Sequence, residues 1–399
     1  MSEVAQVTHS SPDGHIPQLR FPQFSHDWAI STIGNLAKID TGNRDTQDRV
    51  NSGKYPFYVR SNTVERINEY AFDGEAILTS GDGVGVGKNF HYVVGKFNYH
   101  QRVYSIHNFT NSTNGKFIYY YFADKFYRRV SRLSAKNSVD SVRMSMISDM
   151  PISIPAKPEQ QKIAAFLTAV DNKIELLRQK QELLGEYKKG LMQQIFSQAI
   201  RFKADDGSEF PEWKERRLGD VCSKAKSGGT PRSTTKEYYD GDIPFLAISD
   251  ITRQGKYLTS ASKKISQLGI DNSASWIVPI DTIIYSMYAS VGFVSINKIP
   301  LATSQAVINL IVKDGYSIEF IYYHLIEVKK TIHKFIETGT QGNLNAQTVK
   351  SLILNIPSLP EQAKIANFLS SIDNKIEQVG KQLDESKQFK KALLQQMFV

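Results

Sequence analysis

Residues 154–197 read IPAKPEQQKIAAFLTAVDNKIELLRQKQELLGEYKKGLMQQIFS, and residues 356–399 read IPSLPEQAKIANFLSSIDNKIEQVGKQLDESKQFKKALLQQMFV. The two 44-residue stretches align without a gap, and 21 of their positions are identical. A long repeat at a fixed offset indicates that a structural unit has been duplicated. The sequence therefore predicts a protein that does one thing at two places related by pseudo-symmetry.

Each copy of the repeat predicts one long helix. Pro158 and Pro360 occupy a first-turn position, and Glu159 and Glu361 follow at once, where a carboxylate suits the helix dipole. Apolar residues then recur at alternating spacings of four and three, which is typical of a coiled-coil seam. The equal lengths and shared register favour pairing of the two helices over separate docking on globular cores. The predicted seam consists of Ile163, Leu167, Val170, Ile174, Leu177, Leu184, Leu191, Ile195, Ile365, Leu369, Ile372, Ile376, Val379, Leu383, Leu393 and Met397, with the polar residues Lys188 and Lys390 at equivalent places.

The repeat continues into the segments before each helix. Phe117-Ile118-Tyr119-Tyr120 recurs as Phe320-Ile321-Tyr322-Tyr323, and Trp28 with Ile33-Gly34 recurs as Trp213 with Leu218-Gly219. Residues 21–24, FPQF, resemble residues 210–213, FPEW. Between these anchors the halves diverge, which predicts one scaffold that carries two different surfaces.

These patterns divide the chain into five segments. Residues 1–153 are the first globular domain, with a polar tail over 1–16 that we expect to be mobile; residues 154–200 are the central helix. Residues 201–209, RFKADDGSE, are predicted to be a linker, residues 210–355 the second globular domain, and residues 356–399 the second helix. Short β-type runs, such as 76–79 and 282–285, and a helix near Phe117 or Phe320 predict α+β domains with curled, mainly antiparallel sheets.

Composition narrows the class of protein. The formal net charge is +9, and both halves of the chain are basic, which favours a polyanion partner contacted twice over an ordinary basic protein. The single cysteine, Cys222, excludes an internal disulfide and fits a reducing compartment. Because no apolar run approaches 18 residues, we expect a soluble, cytoplasmic protein that does not enter a membrane.

The sequence lacks the motifs of the common catalytic sites. Residues 81–88, GDGVGVGK, fail as a phosphate-binding loop because Asp82 stands where glycine is needed and Asn89 where serine or threonine is needed. This stretch is instead predicted to be a hairpin loop whose glycines shape the turn. Metal-ligand spacings of histidine and cysteine are also missing. We therefore expect no catalytic residue, no metal and no cofactor in this chain.

The order and duplication of these motifs resemble the specificity subunit of type I restriction–modification systems. The resemblance is carried by Ile154-Pro155-x2-Pro158-Glu159-Gln160 and Ile356-Pro357-x2-Pro360-Glu361-Gln362, and by the repeated Asp-Asn-Lys-Ile at 171–174 and 373–376. The stretch Gly228-Gly229-Thr230-Pro231 matches the opening of a family domain, and Thr41-Gly42-Asn43-Arg44 is a weaker version. The similarity covers nearly the whole chain beyond the N-terminal tail.

The resemblance implies two target-recognition domains that each read one half of a bipartite double-stranded DNA target. It implies an antiparallel helix pair that sets the gap between the half-sites and docks two modification subunits. Those subunits would bring S-adenosylmethionine and methylate adenine N6, and restriction subunits would use ATP and Mg²⁺. A stand-alone DNA-binding adaptor is the alternative, and the missing motifs argue against a self-contained methyltransferase or nuclease.

Base edges and phosphates are bound by Arg, Lys, Asn, Gln, Ser, Thr and Tyr side chains on loops, so residues of these types are the candidate DNA contacts. In the first domain they are Asn43, Arg44, Arg60, Asn62, Lys88, Gln101 and Arg102. In the second they are Lys226, Thr230, Arg232, Arg253, Tyr288, Ser304 and Gln305, with Gln341 and Asn343 near the end of the domain.

Overall fold

The computed structural model describes residues 6–7, 16–83, 85–133, 141–288, 290–335 and 344–398. The chain forms two compact units: the first contains Met1–Gln179 and Gly380–Val399, and the second contains Lys180–Val379. The boundaries fall inside the two long helices. Each unit therefore comprises one globular domain, the adjoining part of one long helix and part of the other.

The first unit is built on an open six-stranded sheet of order β4-β9-β7-β8-β5-β6, in which every pairing is antiparallel except β5 with β8. Its strands are β1 (Gln6–Val7), β2 (Leu19–Arg20), β3 (Ala29–Thr32), β4 (Lys38–Thr41), β5 (Tyr55–Tyr58), β6 (Val64–Ile67), β7 (Phe72–Ser80), β8 (Phe90–Tyr99), β9 (Val103–His107) and β10 (Pro151–Ile154). Its helices are α1 (Ile33–Leu36), α2 (Gly115–Leu133), α3 (Met144–Ser148) and the start of α4 (Lys157–Phe196), with a 3-10 turn at Thr46–Asp48.

The second unit contains a five-stranded sheet, β12-β19-β16-β17-β14, and a three-stranded sheet, β15-β13-β18. Its strands are β11 (Lys214–Arg217), β12 (Cys222–Ser227), β13 (Ile243–Leu246), β14 (Tyr257–Leu258), β15 (Lys263–Ile265), β16 (Ile283–Ser286), β17 (Val294–Asn297), β18 (Ala302–Thr303), β19 (Val307–Val312) and β20 (Ile353–Ile356). Its helices are α5 (Leu218–Val221), α6 (Ile248–Gln254), α7 (Gln267–Asp271), α8 (Ile318–Val328), α9 (Ala346–Ser351) and the start of α10 (Leu359–Met397), with 3-10 turns at Lys236–Tyr238 and Lys329–Phe335.

Both units confirm the predicted α+β class with mainly antiparallel sheets. Each also closes with a two-stranded ribbon, β3 with β10 in the first unit and β11 with β20 in the second. The ribbon joins the start of the globular domain to the segment that enters the long helix. Because both termini of the domain meet there, one scaffold can be inserted before each helix.

The long helices contribute directly to the two cores. In the first unit, Ile163 and Leu167 of α4 belong to the same apolar cluster as Leu393, Met397 and Phe398. Phe398 meets Phe117 of α2 edge to face, with ring centroids 5.4 Å apart. In the second unit, Met192 and Ile195 share a cluster with residues of α10 and α8. Burial of these apolar faces is the main source of their stability as helices.

Burial along both helices follows the four–three spacing of the sequence. Every residue of the predicted seam is buried or half-buried, whereas Leu176 and Leu183 beside it are 65% and 64% exposed. In the second unit, Lys188 pairs with Asp373, and Arg201, which comes later in the chain, pairs with Glu361, which comes earlier than Asp373. The two chain segments therefore run antiparallel there. No described helix is long and apolar enough to cross a membrane.

The segment predicted as a linker, residues 201–209, makes specific contacts at its start. Arg201 forms an ion pair with the buried Glu361 at 2.9 Å, and Phe202 packs edge to face on Phe368 at 5.5 Å. The first unit has the same pair of contacts, Arg20 with Glu159 and Phe21 with Phe166. The structural counterpart of Phe21 is thus Phe202, and the sequence match between residues 21–24 and 210–213 aligns the wrong phenylalanine.

Candidate nucleic-acid interface

In the first unit, four loop segments meet at one end of the sheet. They are residues 42–45 after β4, 81–83 after β7, 100–102 between β8 and β9, and 141–142 before α3; we call them the first loop cluster. The Gly81 amide donates to the Arg102 carbonyl at 2.8 Å, and the Val142 amide donates to the Gly81 carbonyl at 2.7 Å. The frame of the cluster is therefore made by backbone groups.

The second unit builds the same frame from residues 228–231, 287–288, 304–306 and 344, the second loop cluster. The Met287 amide donates to the Ala306 carbonyl at 2.9 Å, and the Leu344 amide donates to the Met287 carbonyl at 3.0 Å. These bonds repeat those of Gly81, Arg102 and Val142. The bonded atoms are backbone groups in both units.

One glycine in each cluster is required by close packing. A methyl group at Gly42 would lie 1.9 Å from the Tyr99 carbonyl oxygen, and one at Gly228 would lie 1.8 Å from the Thr303 carbonyl oxygen. Real Cβ atoms do not approach backbone so closely, so both positions need glycine. The sequence signals for this frame are the Thr41-Gly42 and Ser227-Gly228 pairs.

The first loop cluster carries charged side chains that are held in place by carboxylates. Asp82 accepts from Arg60 at 3.1 Å and from Arg102 at 3.0 Å, while the two arginine side chains stay 48% and 62% exposed. The Gln101 amide donates to Asp45 at 2.8 Å. A fixed, exposed guanidinium is suited to a bidentate bond with a guanine edge or a phosphate. The cleft beside these residues has a volume of about 350 Å³.

Arg44 and His100 of the first loop cluster also make contacts that hold it in place. Arg44 forms an ion pair with Glu69, and its backbone carbonyl accepts from the backbone N–H of Gln101 at 2.8 Å. His100 is buried, and burial lowers the pKa of its imidazole although Asp45 opposes the shift. His100 therefore enters the cluster as a neutral group at neutral pH.

The second loop cluster is uncharged at the corresponding places. Thr230 donates to the Gln305 side-chain oxygen at 2.7 Å, which leaves the Gln305 amide hydrogens directed away from that bond. Tyr288, at the place of Asp82, is 40% exposed. The Ser304 hydroxyl accepts from the Ala306 amide at 3.3 Å. These neutral donors and acceptors suit a different set of base edges from the arginines of the first cluster.

The remaining sequence-predicted residues lie around these clusters. Asn43, Asn62, Lys226 and Arg232 are exposed, and Lys88 lies over the Tyr127 ring at 5.8 Å. Arg253 lies on α6, where it donates to the buried Asp250 at 2.7 Å. Gln341 and Asn343 lie outside the described residues. The glycines of residues 81–88 shape their turn: Gly83 and Gly87 have φ of 76° and 64°.

Sequence reasoning missed a polar node that connects each globular domain to the long helices. In the first unit, Tyr120 of α2 donates to Asp171 of α4 at 2.8 Å, and Lys390 of α10 lies 2.5 Å from the same carboxylate. Lys116 lies over the Tyr120 ring at 5.8 Å and over Tyr92 at 3.9 Å. The node therefore joins three helices of the unit around one carboxylate.

The second unit repeats this node. Tyr323 of α8 donates to Asp373 at 2.6 Å, and Lys188 lies 2.5 Å from Asp373. Lys256 donates to the Tyr323 hydroxyl at 3.0 Å. Burial raises the pKa of Tyr323, and its bond to Asp373 raises it further. The available sequence signals were the repeated Asp-Asn-Lys-Ile motif and the two lysines inside an otherwise apolar seam.

The architecture and the duplicated clusters agree with a family model of the type I restriction modification DNA specificity domain, which matches residues 25–186 and 211–386. The chain belongs to this family of specificity proteins. Each match contains one loop cluster together with the tyrosine and carboxylate of one polar node, Tyr120 with Asp171 and Tyr323 with Asp373.

Individual relatives of the specificity family support the same assignment. The MjaIX specificity subunit of Methanocaldococcus jannaschii is 32% identical over 193 residues, which cover 47% of this chain and 44% of the relative. The MjaVIII specificity subunit of the same organism is 23% identical over 94% of this chain and 92% of its own length. The chain thus spans less than half the length of the first of these relatives.

A solved structure shares the fold of the specificity family across almost the whole chain. The S subunit of a type I restriction–modification system from M. genitalium superposes with a TM-score of 0.64 and 18% identity, covering 96% of this chain and 99% of that one. At this level of identity the similarity concerns the fold.

Proposed function

We propose that this chain is the DNA specificity subunit of a type I restriction–modification system, in which each loop cluster reads one half of a bipartite duplex target. The observation that supports this proposal most strongly is that the same arrangement of backbone hydrogen bonds occurs in both loop clusters with different side chains. A frame made of backbone bonds holds its loops still, and the side chains on it can then encode a sequence. Two different side-chain sets favour two different half-sites.

Arg102 of the first loop cluster and Arg60 beside it are the principal readers. Asp82 orients both guanidinium groups, so that less rotamer freedom is lost when they bind. Arginine bonded to guanine O6 and N7 is the commonest specific contact in the major groove. Gln101 and Asn43 supply amide groups beside them, and Lys88 supplies a cation for the backbone.

In the second loop cluster, Gln305, Thr230 and Tyr288 are the principal readers. The Thr230–Gln305 bond fixes the side-chain amide, so that its NH₂ group is presented as a donor. Amide side chains suit adenine N6 and N7 edges. Lys226 and Arg232 are exposed, flank residues 228–231 in the sequence and supply cations for phosphate groups.

The chain itself carries out no chemistry in this proposal. Two modification subunits dock on the long helices, bind S-adenosylmethionine and methylate adenine N6, and restriction subunits supply ATP- and Mg²⁺-dependent cleavage. The long helices keep the two readers at a fixed separation. Membership of the specificity family supports this division of labour.

The test is methylome sequencing of methylation-free cells that express the chain with the modification subunits of its own system. We expect one bipartite motif with methylated adenine in each half. Exchange of residues 210–356 for those of a relative should change one half-site only; this range takes both strands of the β11–β20 ribbon from one parent. A change in both halves would contradict the assignment of one cluster to one half-site.

The alternative is a stand-alone DNA-binding adaptor. It predicts tight, sequence-specific binding of the purified chain to duplex DNA and no methylation when modification subunits are added. Methylation that depends on both components would exclude it.

A further inference from the structure

A basic cleft on the first unit remains outside the two loop clusters. Lys125, Arg128, Arg129 and Arg132 of α2 line a cavity of about 530 Å³, and a neighbouring cavity of about 230 Å³ shares Arg129 and adds Arg143. We call these five cations and the space between them the α2 cleft. Two carboxylates, Asp124 and Asp149, lie close to it, so the cleft has an excess of positive charge.

The cations of the α2 cleft differ in how they are held. Arg129 is fixed by two backbone carbonyls, Met146 at 2.8 Å and Asp149 at 2.9 Å, and therefore has a structural task. Lys125 donates to the Phe398 carbonyl at 3.3 Å. Arg128 and Arg132 are exposed, and neither forms an ion pair or hydrogen bond within the described residues. Two guanidinium groups are thus available to an anion from outside.

Helix stability alone does not account for this concentration of charge. A cation in the last turn of a helix interacts favourably with the helix dipole, and Arg132 holds that position in α2. The dipole effect falls off within one turn, so it does not require Lys125 or Arg128. At the corresponding places the second unit has Val328 and Thr331, by the shared Phe-Ile-Tyr-Tyr motif.

The α2 cleft is continuous with the first loop cluster. Ser141 and Val142 line the cavity beside Arg102, and the next residue, Arg143, lines the α2 cleft. On the other side, Lys88 of the hairpin loop lies over Tyr127, which directly precedes Arg128. A surface that begins at base-reading side chains and continues as uncompensated cations suits the phosphate backbone of the same duplex.

We infer that Arg128 and Arg132 of the α2 cleft bind backbone phosphates of the DNA flanking the half-site read by the first loop cluster. By the shared Phe-Ile-Tyr-Tyr motif, the second unit has Thr331 and Phe335 at these two positions. The inference rests on the proposed function and adds to it a sequence-independent contact on one side only. An acidic protein segment is the competing occupant, which continuity with the base-reading cluster disfavours.

The test compares three forms of the full chain, each assembled with its modification subunits: wild type, Arg128→Gln/Arg132→Gln, and the control Lys38→Gln/Lys54→Gln. Both control lysines are exposed and lie at the ends of β4 and β5 that are opposite the first loop cluster. Binding to a target duplex and to an unrelated duplex is measured by fluorescence anisotropy at several salt concentrations.

We expect the slope of log K against log salt to become shallower by about 1.8 in the arginine variant, because each lost phosphate contact reduces it by about 0.9. Affinity should fall for both duplexes alike, and the control should keep the wild-type slope. An arginine variant with the wild-type slope would overturn the inference while leaving the proposed function standing. Loss of modification subunits from the purified variant, with unchanged DNA affinity, would assign the cleft to a protein and overturn it too. A wild-type complex without target preference would refute the proposed function itself.

Discussion

The Lys188 ammonium group lies 2.5 Å from the Asp373 carboxylate, and both side chains are largely buried between apolar seam residues. Lys390 and Asp171 form the same contact at 2.5 Å in the other unit. Each carboxylate also accepts from a tyrosine of the globular domain. The two ion pairs therefore fix the register of the helices and attach each domain to them at the same point.

Removal of one of these carboxylates should destabilise the protein. Asp373→Asn leaves Lys188 without its counter-charge and weakens the acceptor of Tyr323. Since the pair is not fully buried, we expect a loss of about 1–3 kcal/mol in the free energy of unfolding. Chemical denaturation measures it, with Asp384→Asn, in an exposed surface pair with Lys387, as the control. Equal stability of the two variants would contradict a structural role for the node.

Loss of Asp82 should reduce the sequence specificity of one half-site. In Asp82→Asn the two guanidinium groups of Arg60 and Arg102 lose the charge that orients them, so their bonds to bases become less selective. Methylome sequencing should show a degenerate first half-site and an unchanged second one. The control is Asp281→Asn, which removes a surface partner of Lys298 in the other unit and should leave the motif intact. A variant that kept the full motif would show that Arg60 and Arg102 do not depend on Asp82.

The cluster glycines should each control one half-site. Gly228→Ala places a methyl group 1.8 Å from the Thr303 carbonyl and must displace residues 304–306. We expect loss of the half-site read by the second loop cluster, and Gly42→Ala should affect the other half in the same way. Gly185→Ala is the control, because that helical glycine faces open space, and it should raise stability by about 0.8–1.0 kcal/mol.

Stability of the second unit should depend on pH through His324. Burial lowers the pKa of this imidazole to about 4, below its unfolded value of about 6.5. The unfolded chain therefore binds more protons between these two values, and stability falls as the pH drops from about 6.5 to 4, by up to about 1.4 kcal/mol per unit. Denaturation at several pH values measures the slope, which should become smaller in His324→Gln. A slope that is unchanged in the variant would assign the dependence to other groups.

A matched heptad insertion tests the helices as a spacer. Seven residues added after Gln179 and seven after Val379 should lengthen each helix by about 10.5 Å, or roughly three base pairs at about 3.4 Å each. The half-sites should stay the same while the gap in the methylated motif grows by about three base pairs. Insertion into one helix alone breaks the pairing register and should abolish methylation. An unchanged gap in an active double variant would show that the helices hold subunits together without setting the DNA spacing.

The sequence was sufficient to predict the long helices and the duplicated α+β domains, because these depend on short-range periodicity and on repeats within one chain. The positions of Lys188 and Lys390 in an apolar seam were visible as exceptions. Their partners were not, since Asp373 and Asp171 come from a helix about 200 residues away and only the register between helices brings them together.

The same limit applies to the candidate DNA contacts. Residue type selects Arg60, Gln101 and Arg102 as candidates. Their grouping around Asp82 depends on strands from distant parts of the chain meeting at one sheet end. The polar neighbours of Arg201 predict a linker. Its buried partner, Glu361, lies 160 positions later, so the sequence around Arg201 gives no sign of the ion pair.

The contribution of Leu393, Met397 and Phe398 to the first core has a consequence for synthesis on the ribosome. Domains normally fold from the N-terminal side as the chain emerges. Here the N-terminal unit needs residues that are translated about 200 positions after Gln179. That unit can be completed only after residues 380–398 have been made, so a product that terminates before them would expose unfilled apolar surface to proteases.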